Sequence, residues 1–307
     1  MSGYARRPEW LKLRPLDPAI LGRMNRLMRD LKLYTVCESA RCPNRTECFA
    51  RGTATFMILG DVCTRNCTFC AVKHGKPQPV DPEEPQHIVA AVNKLGLRYV
   101  VITSVTRDDL PDGGASQFAQ TINAIHEYDS NIPVEVLIPD FKGSSPALQA
   151  VIDASPAVLN HNVETVPRLY AEVRPRANYR QSLELLRQAK LLNGNLITKS
   201  GLMLGLGETR QEVVEVMTDL RGAGCDLLTI GQYLQPSLSH HKVIRYIPPE
   251  EFKEYQNIGE EIGFTAVISA PLVRSSFHAA ETYLSALEPI QAVTKEQASR
   301  ILPFSHY

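Results

Sequence analysis

The chain has no surplus of charge: 33 Lys and Arg offset 33 Asp and Glu, so its 307 residues are formally neutral. A neutral chain offers no global field to draw in nucleic acid or an anionic bilayer, and neither is an expected partner. No apolar run approaches the ~20 residues needed to span a membrane. The opening MSGYARRPEW lacks the apolar core of a secretory signal. The oxidising compartments where disulfides persist are thereby disfavoured, and a cytoplasmic location is expected. The glycine-rich Gly201-Leu-Met-Leu-Gly205-Leu-Gly207-Glu208-Thr209 has neither a Gly-Lys-Ser/Thr ending nor G-x-G-x-x-G spacing, so it is not read as a nucleotide phosphate loop. What is present is a globular composition, 44% apolar and 21% charged, able to bury a substantial core.

Cysteine is scarce but concentrated. Six of seven fall between residues 37 and 70, as Cys37-x4-Cys42-x5-Cys48 and Cys63-x3-Cys67-x2-Cys70. Chance would put Cys at both +4 and +7 from a given Cys only about once in 2000. Zinc sites usually pair C-x2-C units or add spaced histidines, whereas only Cys67-Thr-Phe-Cys70 is such a pair and His74 stands alone. Thiolates in threes suit iron–sulfur cubanes, in which a triad leaves one iron open for chemistry. Cys225 is the odd thiol and reads as a small buried hydrophobe.

Cys63-Thr-Arg-Asn-Cys67-Thr-Phe69-Cys70 matches the CxxxCxΦC motif and resembles the radical S-adenosylmethionine (AdoMet) superfamily. The resemblance implies a [4Fe-4S] cluster on Cys63, Cys67 and Cys70, with AdoMet on the fourth iron as the source of a 5'-deoxyadenosyl radical. The first triad, Cys37-Glu-Ser-Ala-Arg-Cys42-Pro-Asn-Arg-Thr-Glu-Cys48, resembles the auxiliary-cluster motif of the lipoyl synthase family. The connecting segment from Gly52 to Gly60 is similar to that family's too. Arg274-Ser275-Ser276-Phe277 resembles its Arg-Ser-Ser-Tyr signature, with Phe277 where tyrosine is usual.

By that resemblance Cys37, Cys42, Cys48 and Ser276 hold a second [4Fe-4S] cluster, which supplies sulfur. The implied activity is insertion of two sulfur atoms, at C6 and C8, into an octanoyl chain on a lysine of a carrier protein. The carrier would be a glycine cleavage H protein or a 2-oxoacid dehydrogenase lipoyl domain. A ferredoxin- or flavodoxin-type reductant and an iron–sulfur assembly or repair protein would assist. Serine oxygen is a harder, weaker partner for iron than thiolate, so the iron on Ser276 would be the easiest to release. Without the two triads, Arg274-Ser275-Ser276 would read as an ordinary polar loop.

Apolar β-rich runs alternate with amphipathic stretches, the pattern of parallel βα units. Strands are expected at 55–60, 98–104, 133–138, 157–160, 197–204 and 226–230, with a seventh short one at 265–269. Helices are clearest at 116–128, 179–192, 208–223 and 249–262, where apolar residues recur every three or four positions. Six units are too few for a closed eight-stranded barrel. The expected α/β fold is therefore a partial (β/α)6 TIM-like barrel of the radical AdoMet type with N- and C-terminal extensions. The expected divisions are 1–50 with the first triad, 51–270 for the barrel, and 271–307 with Ser276. Trp10, the sole tryptophan, is the expected anchor of the N-terminal arm.

Loops after the strands build the active site of such barrels. By resemblance Thr103, Ser104, Asn160, Asn162 and Glu164 belong to the AdoMet site, alongside Phe69. Arg174 suits the AdoMet carboxylate or is a surface arginine. Gly205 lets backbone approach the methionine or adenine moiety, or simply makes a tight turn beside Glu208. Asp108 and Asp109 either line this site or cap the next turn, and His161 reads as a structural side chain. The family resemblance ends near Ala280, and the tail 281–307 carries no legible chemistry. Rival readings are another sulfur-inserting radical enzyme, or an iron–sulfur electron carrier, for which four cysteines per cluster would be usual.

Overall fold

The computed structural model describes residues 7–13, 15, 17–50, 54–287 and 301. Its ten strands are β1 (Tyr34–Thr35), β2 (Thr55–Ile58), β3 (Val62–Cys63), β4 (Lys73–His74), β5 (Val100–Ser104), β6 (Val134–Leu137), β7 (Val158–Asn160), β8 (Ile197–Leu204), β9 (Leu227–Gln232) and β10 (Ala266–Ser269). Eight form one sheet in the order β1-β2-β5-β6-β7-β8-β9-β10. From β2 to β10 every pairing is parallel, and only β1 joins antiparallel, at the edge beside β2. The two edges do not pair with each other, so the barrel is open as expected. β3 and β4 pair separately and frame the loop bearing the second triad.

Helices Glu84–Leu95, Ala115–Tyr128, Ser145–Asp153, Tyr179–Leu192, Arg210–Gly222 and Pro249–Ile262 alternate with the strands. Their ends follow local chemistry. Thr209 and Glu212 form a reciprocal capping box at the start of Arg210–Gly222, and Gly263 at φ 97° ends Pro249–Ile262 in the left-handed region. The helix at 84–95 is not among those the periodicity picks out, because its inward face mixes buried Glu84 and Pro85 with Ile88, Ala91 and Val92 and so lacks a clean apolar stripe.

Strand alternation divides the barrel into two environments. Val100 and Ile102 pack in the main core beneath the helices, whereas Val101 lies on the other face with Tyr99, Ala279 and Ala280. Helix Ala279–Leu287 seals that inner face: its Ala286 clusters with Val158, Ile197 and Leu227, and Tyr283 rests 5.6 Å from the Tyr99 ring. The first seven residues of the tail that carried no legible chemistry, 281–287, are thus part of a barrel plug. Of the rest of the tail only 301 is described. Above the plug, fully buried Lys199 pairs with Glu135 at 2.9 Å, and the Tyr99 hydroxyl donates to the same carboxylate.

Trp10 is not the anchor of the N-terminal arm. It is 39% exposed, whereas neighbouring Leu11 is 2% exposed and takes that role. Helix Pro18–Asp30 then packs through Met24 and Met28, and Asp17 bonds Thr46 beside the first triad.

Two in-strand glycines make room for the chain after β10. A Cβ on Gly231 would overlap the Val273 carbonyl, and one on Gly201 would come within 2.9 Å of Ser275 Oγ. Gly231→Ala should therefore displace loop 270–276 and cost about 1–3 kcal/mol of stability, as overpacking does. Urea unfolding measures this; an unchanged midpoint would show that the loop is not seated on β9.

Candidate active site

The second triad follows β2, where the first active-site loop of a βα barrel belongs. Cys63, Cys67 and Cys70 are half-buried free thiols. Desolvation raises the pKa of Cys70 to about 12, and the nearby thiols of Cys67 and Cys63 add to it. Desolvation also raises Cys67, against the pull of Arg174. Burial that disfavours the free thiolates of Cys67 and Cys70 suits a metal cluster, whose positive charge would hold them ionised. Phe69 packs against the main core and holds the loop down.

Arg65, inside this triad, is a site residue that the sequence reading missed. Its guanidinium forms a double fork, to Asp108 (2.8 and 2.9 Å) and to Asp140 (2.8 and 2.6 Å). Burial alone would raise Asp140, but Arg65 overrides it and holds the carboxyl below its usual range. Asp108 therefore ties two active-site loops together, and Asp109 pairs with buried Arg107. Neither caps the following helix; Asp112 accepts there from the Gly114 and Ser116 amides. The sequence signal was an arginine enclosed in a ligand loop beside an acidic loop, but its burial is a tertiary fact.

A second unforeseen clasp comes from the chain after β9. Assigned from geometry, His240 Nε2 donates to the Cys70 carbonyl at 3.1 Å, and the His241 amide donates to Thr68 at 2.9 Å. Arg41, in the first triad, donates to the Pro236 carbonyl at 3.3 Å. One loop thus touches both cysteine loops.

In the first triad, burial raises Cys37 to about 11, with Cys42 the next cause and Thr55 opposing both. Thr55 Oγ1 donates to Ser276 Oγ at 2.8 Å, so the hydroxyl named by resemblance lies one hydrogen bond from the residue facing Cys37. Asn44 Nδ2 reaches the Leu272 carbonyl at 2.8 Å and His278 lies 3.8 Å from Glu47, which bind the C-terminal loop to the cysteine segment. Cys48 lies half-buried on helix Arg45–Ala50. Cys37 and Cys42 are thus neighbours, with Ser276 one hydrogen bond from Thr55 beside them, a set of sulfur and oxygen donors of the kind a second cluster would use.

Between the triads lies a buried polar seam. Arg174 faces Cys67, Arg274 faces Cys42, and Glu164 faces both arginines. Glu164 is held at φ 65°, an unfavourable backbone for a residue with a Cβ, through which the chain re-pairs with Leu202 of β8. Burial raises its carboxyl, while Arg174 and then Asn162 pull it back. Arg174 is not a surface arginine: it donates to the carbonyls of Asn162 and Val163, each at 3.0 Å. Its Nε is a buried donor without a partner among the described residues, and Asn162 Oδ1, Asn160 Oδ1 and Ser104 Oγ are similarly unmet. Unmet buried groups are costly, and here they match a polar ligand with both an ammonium and a carboxylate. AdoMet carries both.

Protein partners account for the other polar atoms at these positions. Thr103 Oγ1 donates to the Leu137 carbonyl at 3.0 Å, and Asn160 Nδ2 approaches Glu135 at 3.4 Å. Gly205, at φ 97°, lies where a Cβ would overlap Gln232 and the Arg245 carbonyl, so protein contacts alone account for it. His161 bonds the Ile138 carbonyl and Ser182, each at 2.9 Å, and burial lowers it to about 4, a neutral ring. Cys225 is fully buried.

The Arg65 network generates a prediction. Arg65→Met leaves buried Asp140 and partly buried Asp108 without their cation and should cost about 3–5 kcal/mol in urea unfolding. A cost below about 1 kcal/mol would show that the network does not hold the loop.

The Radical SAM superfamily profile matches residues 57–220. A solved [FeFe]-hydrogenase maturase, HydG, superposes with TM-score 0.55 at 16% identity, covering 89% of this chain and 61% of its own. Methylornithine synthase (PylB) gives 0.53 at 13% identity, covering 92% and 83%. Both likenesses concern the fold. The lipoyl synthase of Caldanaerobacter subterraneus subsp. tengcongensis is 58% identical over 89% of this chain and 96% of its own length. That of Aquifex aeolicus is 57% identical over 85% and 95%. With more than half of the aligned residues identical along nearly the whole of these relatives, the chain belongs to the lipoyl synthase family of the radical AdoMet superfamily.

Proposed function

We propose that this chain inserts two sulfur atoms, at C6 and C8, into an octanoyl group amide-linked to a lysine of a carrier protein. The observation that carries the reading is that one loop after β9 touches both cysteine segments, through Arg41 and the Cys70 carbonyl, while Asn162 bonds both Glu164 and Ser275 of the serine loop. When bound, one [4Fe-4S] cluster with AdoMet supplies hydrogen-abstracting power, and the auxiliary cluster supplies sulfur. In this reading Cys63, Cys67 and Cys70 hold the first, and Cys37, Cys42, Cys48 and Ser276 hold the second.

The protein's own residues bind and orient. Arg174 Nε suits a carboxylate, and Asn162 Oδ1 suits an N–H or O–H donor of the ligand. Arg174 and Arg274 offset the negative charge that the thiolates bring into the barrel. Arg65 fixes the radical loop, and the plug helix seals the inner face of the sheet, leaving the mouth for the acyl chain. Residues 1–50, 51–270 and 271–307 act as auxiliary-cluster arm, barrel and serine-bearing closure; of the junction, 51–53 lie outside the described residues. No helix among the described residues is long and apolar enough to cross a membrane, and we place the enzyme in the cytoplasm. Its partners would be an octanoylated H protein or lipoyl domain, a ferredoxin- or flavodoxin-type reductant, and a cluster-repair protein.

Reconstituted protein given AdoMet, a reductant and an octanoylated carrier domain should yield carrier heavier by two sulfurs, the dithiol in which each abstracted C–H hydrogen is replaced by S–H, read by mass spectrometry; two further hydrogens are lost only if that dithiol is afterwards oxidised to the disulfide. Unmodified carrier alongside AdoMet cleavage would refute the substrate assignment. The triads should also separate by mutation. Alanine at Cys63, Cys67 or Cys70 should abolish 5'-deoxyadenosine formation, whereas alanine at Cys37, Cys42 or Cys48 should spare part of it and abolish sulfur insertion. Normal lipoyl yield from the second group would overturn the sulfur-donor assignment.

A further inference from the structure

Asn162 stands between the two halves of the site. Its Nδ2 donates to Ser275 Oγ at 2.7 Å and to Glu164 Oε1 at 3.0 Å, using both N–H bonds. Its Oδ1 is buried and meets no donor among the described residues. The oxygen and nitrogen share one rigid amide plane, so a rotation that brings Oδ1 to a donor also swings Nδ2 away from Ser275. An unmet buried acceptor favours such a rotation whenever no ligand satisfies it. The crossing is tightly enclosed: a Cβ on Gly201 would come 2.7 Å from Asn162 Oδ1 and 2.9 Å from Ser275 Oγ. Ser276, the next residue, bonds Thr55 beside Cys37.

We propose that Asn162 couples ligand occupancy of the AdoMet pocket to the seating of the serine loop. An N–H or O–H donor of the bound ligand accepted by Oδ1 fixes the amide plane, and the fixed amide holds Ser275, and with it Ser276, in place. Asn162 is in this respect a positioning residue, acting on the auxiliary site through Ser275. The inference rests on the reading that the pocket takes AdoMet. Its consequence is that the auxiliary iron is retained more firmly while AdoMet is bound, before any electron arrives.

The test uses holoenzyme with both clusters and no reductant, so that no turnover occurs. Iron loss to a chelator is followed spectroscopically with and without AdoMet, and AdoMet affinity is measured separately. AdoMet should slow loss of the auxiliary cluster about fivefold in the wild type, the ratio equivalent to one net hydrogen bond of about 1 kcal/mol. Ser275→Ala removes the acceptor, so it should bind AdoMet within about twofold of wild type yet show no protection; Ser275→Thr, which keeps the hydroxyl, should restore it. Hydrogen exchange of residues 270–278 reads the same coupling in any variant that fails to load the second cluster: AdoMet should slow it in wild type and Ser275→Thr but not in Ser275→Ala. Equal protection of wild type and Ser275→Ala by both readouts, or none in a wild type that binds AdoMet, would overturn the coupling. A wild type that does not bind AdoMet would instead overturn the reading on which it rests.

Discussion

Bringing two sets of thiols to one barrel mouth is an electrostatic problem before it is a chemical one. Ionised thiols repel one another and lose hydration when buried, and both effects appear in the raised pKa values of Cys37 and Cys70. The protein answers with cations placed between and around the loops. Arg174 faces Cys67, Arg274 faces Cys42, and Glu164 sits between the two arginines so that neither is left as an isolated buried charge. Arg65 plays a different part, spending its charge on Asp108 and Asp140 to lock the radical loop to its neighbours. Much else in the fold serves this arrangement. Glycines in β8 and β9 give the C-terminal loop a path across the mouth, and the unfavourable backbone of Glu164 aims its carboxylate into the seam.

The open barrel has a matching role. Parallel strands buried on both faces read as continuous apolar runs, and closure of the far side is left to helix Ala279–Leu287. The inner face is thereby sealed by the chain's own segment while the mouth stays available to a macromolecular substrate. In such an arrangement the acyl chain, rather than the carrier's globular body, is what must enter.

The sequence exposed what depends on local pattern. β8 and the helices at 179–192 and 249–262 fall where their periodicity places them, because long periodic segments between clear caps and turns leave little ambiguity. The cysteine spacing likewise announced metal chemistry before any fold was known. What stayed hidden depends on tertiary neighbours. Arg65 looks like an ordinary surface arginine until its partners are seen, and Asp108, which could equally have been a cap, yields that place to Asp112. Trp10 attracted the anchoring role by its size, but Leu11 is the residue that is buried. The plug helix followed the last recognisable motif, and nothing in its short alanine-rich sequence indicates which surface it covers.

The central claim is that the sulfur comes from the cluster beside Ser276. Rebuilding the clusters with heavy-isotope sulfide and weighing the product of a single round tests it most directly. Both inserted sulfurs should carry the label, with about one product per chain when no repair partner is present, since a cubane stripped of two sulfides is no longer an intact donor. Unlabelled product, or many turnovers with the auxiliary iron undiminished and no sulfide source, would contradict it.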